Sequence, residues 1–142
     1  MSLESDRRHM RRAIALARAQ LGRTGDNPAV GCVIVAGGEV AAEAATADGG
    51  RPHAEEQALA QAGARARSAD VFVTMEPCGE RSSGAASCSE RLVSAGVARV
   101  VFACGNPHAL SAGRGPARLD DAGVRLEGGF LQAEAAFLYP ER

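Results

Sequence analysis

The chain has 142 residues, of which 46% are hydrophobic, and its formal net charge is −1. This length and composition suit one core, so residues 1–142 are expected to form a single domain. A charge balance this close to neutral is not that of a nucleic-acid-binding protein, and no nucleic-acid partner is expected. The sequence has neither an apolar run long enough to span a bilayer nor a signal-peptide pattern. It therefore predicts a cytoplasmic protein with no membrane partner.

The first predicted element is an amphipathic helix near the N-terminus. Ser5 can cap this helix, which runs to about Leu21, where Gly22 supplies a stop. Its apolar face is formed by Met10, Ile14, Ala17 and Leu21. His9 lies among the arginines of the polar side and is expected at the surface.

Strands and helices are predicted along the rest of the chain. The first two strands are separated by a short Gly-rich turn and are expected to pair antiparallel. Cys32, Cys104 and the phenylalanines are assigned to the core. The predicted strands are 29–35, 39–46, 71–75, 98–103 and 124–126, and the further helices are 53–62, 88–95, 115–122 and 130–138.

Three short segments contain the residue types that a catalytic zinc site uses: His53 with Glu55, Pro77 with Cys78, and Cys88. Zinc binds imidazole nitrogen and thiolate sulfur, and a catalytic site keeps its fourth position open for water. Zinc deaminases have an H-x-E…P-C-x-x-C signature, in which the glutamate moves protons and is not a ligand. The chain matches this signature except that nine residues separate the two cysteines.

The position of His53 and Glu55 at the start of a helix constrains where a metal can lie. Residues two apart on a helix point about 200° away from each other, so the two side chains can converge only beyond its N-terminal end. Cys88 is predicted to open a helix as well, because Ser87 and Glu90 have capping-box spacing. A thiol in that position is more readily a thiolate. We therefore predict His53, Cys78 and Cys88 as Zn²⁺ ligands and Glu55 as the catalytic proton shuttle.

Other interpretations of these residues are weaker. A lone histidine at a helix end is usually a residue with a backbone partner, but here it occurs together with the glutamate and both cysteines. A structural zinc site normally has four protein ligands. Only Cys32 or Cys104 could be the fourth, and both lie in or at the end of apolar strands, where free cysteine is commonly a small core residue.

Five segments resemble the deaminase half of the bifunctional riboflavin-biosynthesis deaminase/reductase, within the cytidine-deaminase-like superfamily. These segments occur in the order of that family and cover nearly all of the chain. The long gap between the cysteines and the AGRG segment are the features most specific to this branch. The segments are 27–35 (NPAVGCVIV), 52–55 (PHAE), 73–78 (VTMEPC), 95–101 (AGVARVV) and 112–115 (AGRG).

The resemblance implies a cytidine-deaminase-like fold, a three-layer α/β/α sandwich around a five-stranded mixed sheet. It also implies a zinc-dependent hydrolytic deaminase that converts an exocyclic amine of a pyrimidine-type ring to a carbonyl and releases ammonia. A homodimer or higher homo-oligomer is expected, because a neighbouring chain often completes the site in this superfamily. Asn27 is either a turn residue, as Asn-Pro indicates, or the family's contact to the substrate.

The chain departs from the family in segments that would contact the substrate. The segment between the cysteines lacks the paired histidines and prolines, but Arg81, Ser82 and Ser83 could bind a phosphate, the alternative being a solvated loop. Asn106 and His108 stand where the family has an aspartate and an asparagine, and they are the remaining substrate-contact candidates. A reductase domain, which follows in the bifunctional proteins, is not expected within these 142 residues.

These departures leave two alternatives to the riboflavin intermediate as substrate. The protein could deaminate a different base, nucleoside or pterin-like heterocycle. A non-catalytic zinc-binding partner subunit is a further alternative, but Glu55 argues against it because a structural site does not need a proton shuttle. The tRNA-adenosine deaminases rank low, because they favour the short cysteine gap and need a basic surface.

Overall fold

A five-stranded mixed sheet lies at the centre of the computed structural model, which describes residues 3–79, 87–105 and 114–140. The strand order is β2-β1-β3-β4-β5. β1 pairs antiparallel with both β2 and β3, whereas β3, β4 and β5 are parallel. The strands are β1 (Gly31–Ala36), β2 (Glu39–Ala45), β3 (Asp70–Met75), β4 (Arg99–Cys104) and β5 (Arg125–Gly128).

Five α-helices accompany the sheet in the described part of the chain. Short 3₁₀ segments precede the second helix, follow it, and extend the last one. Among the described residues no helix is both long and apolar enough to cross a membrane. The helices are α1 (Leu3–Ala19), α2 (Ala54–Ala62), α3 (Cys88–Ala95), α4 (Arg114–Asp121) and α5 (Gln132–Ala135).

The helices cover both faces of the sheet. Gly31 faces α1 so closely that a Cβ there would lie 1.9 Å from the carbonyl oxygen of Ala13. The next residue, Cys32, points to the opposite face, where burial and then the nearby Glu55 carboxylate of α2 raise the pKa of its thiol. α3 packs on α2 and α4 packs on α3, while Arg11 of α1 pairs with Glu134 of α5. The predicted three-layer α/β/α arrangement with a five-stranded mixed sheet is confirmed.

The predicted elements are present, and apart from the first and last helices their ends lie within two residues of those expected. The N-terminal helix is shifted toward the start of the chain, so that Ser5 lies inside it and is not its cap. Because this helix ends at Ala19, Leu21 falls beyond it and is 42% exposed, which corrects its assignment to the apolar face. Met10, Ile14 and Ala17 are buried as predicted.

The surface assignment of His9 is wrong. His9 is buried, and its ring lies against Phe72 of β3 with the ring centroids 5.3 Å apart. Burial lowers the pKa of His9, and the nearby Arg8 cation lowers it further. The arginine-rich local sequence concealed that the residue lies one helical turn before Ala13, on the face that contacts the sheet.

The last predicted helix is shorter than expected. α5 covers four residues and passes into a 3₁₀ turn at Ala136–Leu138. Three residues per turn displace side chains from the stripe that an α-helix would present. Leu138 is buried, but Phe137 is 49% exposed, so assigning every phenylalanine to the core was wrong.

A buried ion-pair network holds the ends of the parallel strands that lie away from Met75 and Cys104. The Arg99 guanidinium donates to both carboxylate oxygens of Asp6, at 2.9 and 3.1 Å. It also reaches Asp70 at 3.3 Å and Glu127 at 2.9 Å, and it lies 5.4 Å from the Phe72 ring centroid. The Asp6 hydrogen bonds are the main cause that raises the pKa of Arg99, so the cation stays charged. One side chain thereby connects α1 with β3, β4 and β5.

Replacing Arg99 by Met should lower the free energy of unfolding by about 3–5 kcal/mol, because two nearly buried carboxylates would lose their cation. The matched control is Arg11→Met, which removes an exposed surface pair with Glu134 and should lower stability far less, because exposed ion pairs contribute little. Urea denaturation followed by circular dichroism measures both. Equal losses for the two variants would contradict the assigned role of the network.

Candidate active site and metal centre

Cys78 lies just beyond the end of β3. β3 and β4 run parallel, with Met75 opposite Cys104, and the Glu76 N–H donates to the carbonyl of Cys104 at 2.7 Å. This bond extends the ladder by one residue before Pro77 ends it, since proline has no N–H to donate. The thiol therefore lies at the carboxyl end of the parallel strands, where open α/β sheets place ligand sites.

His53 is the residue that precedes the first turn of α2. Its backbone is extended (φ −69°, ψ 160°), and its N–H donates to the Glu56 carboxylate at 3.1 Å. The predicted helix start at His53 is therefore one residue early. This N-terminal position lets the ring extend beyond the helix end, as the convergence with Glu55 required.

Cys88 is the first residue of α3, as predicted. The Ser87 hydroxyl accepts from the Glu90 N–H at 3.2 Å, and the Glu90 carboxylate accepts from the Ser87 N–H at 3.0 Å. This reciprocal capping box satisfies two N–H groups that a helix end leaves without intrahelical partners. It also fixes the start of the helix at the residue that carries the thiol.

The structure brings together the three predicted ligands, although they lie far apart in sequence. The ligand atoms of His53, Cys78 and Cys88 all lie within 4.8 Å of one another. His53 Nδ1 is 3.4 Å from the Cys88 sulfur, and the Cys88 N–H donates to the Cys78 sulfur at 3.2 Å. One imidazole and two thiols at this spacing fit Zn²⁺, which favours four-coordinate sites of nitrogen and sulfur donors.

The electrostatics of the cluster favour a thiolate at Cys78. The hydrogen bond from the Cys88 thiol is the largest cause that lowers the pKa of Cys78, to about 4, and His53 and the Cys88 N–H lower it further. Burial opposes this shift. Because thiolates, not thiols, bind metals, Cys78 is ready to bind at neutral pH.

Glu55 is buried in the first turn of α2, beside the cluster. Burial is the main cause that raises its pKa, to about 7, and the negative charge of Cys78 adds to it. A hydrogen bond with Cys88 and the charge of His53 act in the opposite direction. A carboxyl that titrates near neutral pH can both accept and return a proton, which is the property required of a shuttle.

The other predicted site residues are only partly described. Asn27 lies in the turn before β1, and its amide nitrogen donates to the carbonyl of Gly50 at 2.9 Å, three residues before His53. This long-range contact places the residue next to the His53 segment. The Asn27 N–H donates to the carbonyl of Thr24 at 3.2 Å, which agrees with the turn interpretation. The remaining candidates for substrate contact, Arg81, Ser82, Asn106 and His108, lie outside the described residues.

The sequence analysis missed two contributors to the surroundings of the site. Tyr139 donates its hydroxyl to the carbonyl of Ala29 at 2.7 Å and lies 2.8 Å from the Thr74 hydroxyl, which ties the C-terminal segment to β3 and to the residues before β1. Arg118 of α4 donates to the carbonyl of Gly79, which follows Cys78, and to the hydroxyl of Ser87, which precedes Cys88. Neither residue belongs to a local motif, so only the three-dimensional structure reveals these contacts.

Comparison with known families agrees with this geometry. The family model described as the cytidine and deoxycytidylate deaminase zinc-binding region matches residues 3–104. The chain therefore belongs to this family of zinc-binding deaminase domains.

Individual relatives point to one branch of the family. The chain is 42% identical over 130 residues to the riboflavin biosynthesis protein RibD of Escherichia coli, covering 92% of this chain and 35% of that protein. It is 41% identical over 125 residues to RibD of Synechocystis, covering 88% and 34%. A solved structure of Acinetobacter baumannii RibD superposes with a TM-score of 0.92 at 42% identity, covering 98% of this chain and 39% of that one. The chain thus spans about a third of the length of its curated relatives.

In the metal-free chain, Cys78 should be alkylated by iodoacetamide at about pH 6, where an ordinary thiol with a pKa near 8.5 is almost fully protonated. Cys32 is the internal control, because it is fully buried and its pKa is raised. Stoichiometric zinc should suppress labelling of Cys78. Mass spectrometry of the labelled peptides measures both sites, and equal labelling of the two cysteines would show that the Cys78 thiolate is not formed.

Proposed function

We propose that the chain catalyses the zinc-dependent hydrolytic deamination of an aminopyrimidine. The observation that carries this proposal is the His53, Cys78 and Cys88 triad with a buried carboxyl, Glu55, beside it. Zinc, when bound by these three residues, supplies the Lewis acidity that lowers the pKa of water to about 7 in favourable sites. The overall change replaces a ring C–NH₂ by C=O, consumes one water and releases NH₃.

Glu55 is assigned the proton transfers of this reaction. It accepts one proton from the attacking water and passes it to the ring nitrogen. It then takes the hydroxyl proton of the tetrahedral adduct and delivers it to the departing amine. Its buried position limits competition from bulk water, and a pKa near 7 keeps both of its protonation states accessible. A divalent cation beside it would stabilise the carboxylate form and so favour its role as the initial base.

The first substrate candidate is diaminohydroxyphosphoribosylaminopyrimidine. A Thermotoga maritima structure described as the deaminase of this compound and the reductase of 5-amino-6-(5-phosphoribosylamino)uracil superposes with a TM-score of 0.88 at 33% identity, covering 95% of this chain and 39% of that one. The departures at Arg81–Ser82 and at Asn106 and His108 favour a second candidate, a different aminated heterocycle handled by the same reaction centre. Asn27 is retained as a proposed substrate contact through its amide oxygen.

The assembly and location of the protein stay predictions. A homodimer or higher homo-oligomer, a single domain over residues 1–142 and a cytoplasmic location are expected, as is the absence of nucleic-acid and membrane partners. A small heterocycle is the partner that the deaminase assignment supports.

Ammonia release from a panel of aminopyrimidine phosphates, their dephosphorylated nucleosides, pterins and purines tests the substrate class. If Arg81 binds phosphate, Arg81→Ala should raise the KM for the phosphorylated aminopyrimidine by about 10-fold or more, the value of one charge-assisted interaction. The kinetics with the matching nucleoside, which lacks the phosphate, should not change. An unchanged KM for the phosphorylated compound would assign Arg81 to a solvated loop.

Replacing Glu55 by Gln should reduce ammonia release by at least about 100-fold, because the amide cannot accept and return the proton. Zinc content, measured by atomic emission, should stay stoichiometric, because Glu55 is not a ligand. The control is Glu134→Gln, which changes a surface carboxylate paired with Arg11 and should leave activity intact. Undiminished activity of Glu55→Gln would overturn the proton-transfer role. Stoichiometric zinc in the unsubstituted chain without turnover of any compound would favour the non-catalytic alternative.

A further inference from the structure

The guanidinium of Arg118 bridges the two segments that carry the cysteines. Its Nη1 donates to the carbonyl oxygen of Gly79 at 2.5 Å and to the Ser87 hydroxyl at 3.1 Å. Gly79 directly follows Cys78, and Ser87 directly precedes Cys88. Nη1 of Arg118 therefore links the residue after Cys78 to the residue before Cys88.

The contacts of Arg118 are linked to both sulfurs through the cap of α3. The Ser87 hydroxyl that it contacts also caps α3, so that Cys88 is held at the first helical position. From there the Cys88 N–H donates to the Cys78 sulfur at 3.2 Å, and the Ser89 N–H donates to the Cys78 carbonyl at 3.1 Å. Displacing either end of the connection would change the distance between the two thiols.

The backbone of α4 is packed directly on the Cys78 segment, which limits how far Arg118 can move. A Cβ on Gly115 would lie 1.8 Å from the Pro77 carbonyl oxygen, and a Cβ on Gly79 would lie 2.3 Å from the Cβ of Arg114. Arg118 is three residues after Gly115 and therefore lies on the same side of the helix. The fully buried Leu119 anchors α4 in the core.

We propose that Arg118 is a positioning residue for the metal centre. It acts through the Gly79 carbonyl and the Ser87 hydroxyl and sets the separation of Cys78 and Cys88 before the metal binds. This role rests on the proposed function of the two cysteines as zinc ligands.

Preorganised ligands lower the ordering cost of binding, so losing the bridge should weaken zinc binding. Hydrogen bonds that orient metal ligands typically contribute 10- to 100-fold in affinity, and we expect Arg118→Met to bind zinc about 10-fold more weakly. Arg118→Lys should recover most of this loss, because an ammonium can donate to both acceptors. Competition with a chromogenic chelator measures the affinity.

The control is Arg125→Met, which removes an exposed arginine of β5 and should leave zinc affinity unchanged. Substitution with Co²⁺ adds a spectroscopic measurement, because the visible d–d bands report the geometry of the coordinating groups. Arg118→Met should alter the positions and intensities of these bands, whereas Arg118→Lys and Arg125→Met should keep them. The melting temperature of each metal-free variant separates these effects from a general loss of stability.

The proposal is overturned if Arg118→Met binds zinc as tightly as the unsubstituted chain and gives the same cobalt spectrum. It is also overturned if the Lys and Met variants lose affinity and metal-free stability to the same extent, which would make the residue merely structural. Failure of ammonia release leaves these affinities unaffected and concerns the proposed function alone. If the unsubstituted chain does not bind zinc, both proposals fail.

Discussion

The contact between the N-terminus of α3 and the Cys78 segment is the interaction on which the site depends. A backbone N–H of the helix meets the Cys78 sulfur, and the next N–H meets the Cys78 carbonyl. These two bonds give partners to two of the N–H groups that every helix start leaves without an intrahelical acceptor. The same bonds hold the two thiols at a metal-binding distance. The same hydrogen bonds thus cap the helix and position the two ligands.

One end of the parallel strands is stabilised by ion pairs, and the other end carries a predicted metal ligand. The end that begins with Asp70 and Arg99 is held by a nearly buried cation shared among carboxylates from α1, β3 and β5. At the opposite end, Cys78 follows β3 and lies in the site. Holding one end by charge pairing leaves the other free to carry chemistry, because the stabilising groups do not compete with the ligands for space.

Local electrostatics distinguish the roles of neighbouring acidic groups. Cys78 receives hydrogen bonds that favour its charged form, whereas Glu55 is buried, which favours its neutral form. The two shifts reverse the ordinary order of the pKa values, so that the Cys78 thiol, at about 4, is a stronger acid than the Glu55 carboxyl, at about 7. One group becomes a thiolate ready for a metal, and the other becomes a carboxyl able to exchange protons near neutral pH.

Much of this protein could be deduced from local sequence patterns. Ser87 and Glu90 fixed the start of α3 at Cys88 because a capping box depends only on residues three apart. The His53 and Glu55 spacing required convergence at a helix end, whereas the layered sheet was expected from the resemblance to the superfamily. His9, Phe137 and Arg118 could not be placed in this way. Their burial, exposure and contacts depend on which segments meet in space, and that is decided by packing between residues far apart in the chain, not by the neighbours of each residue in sequence.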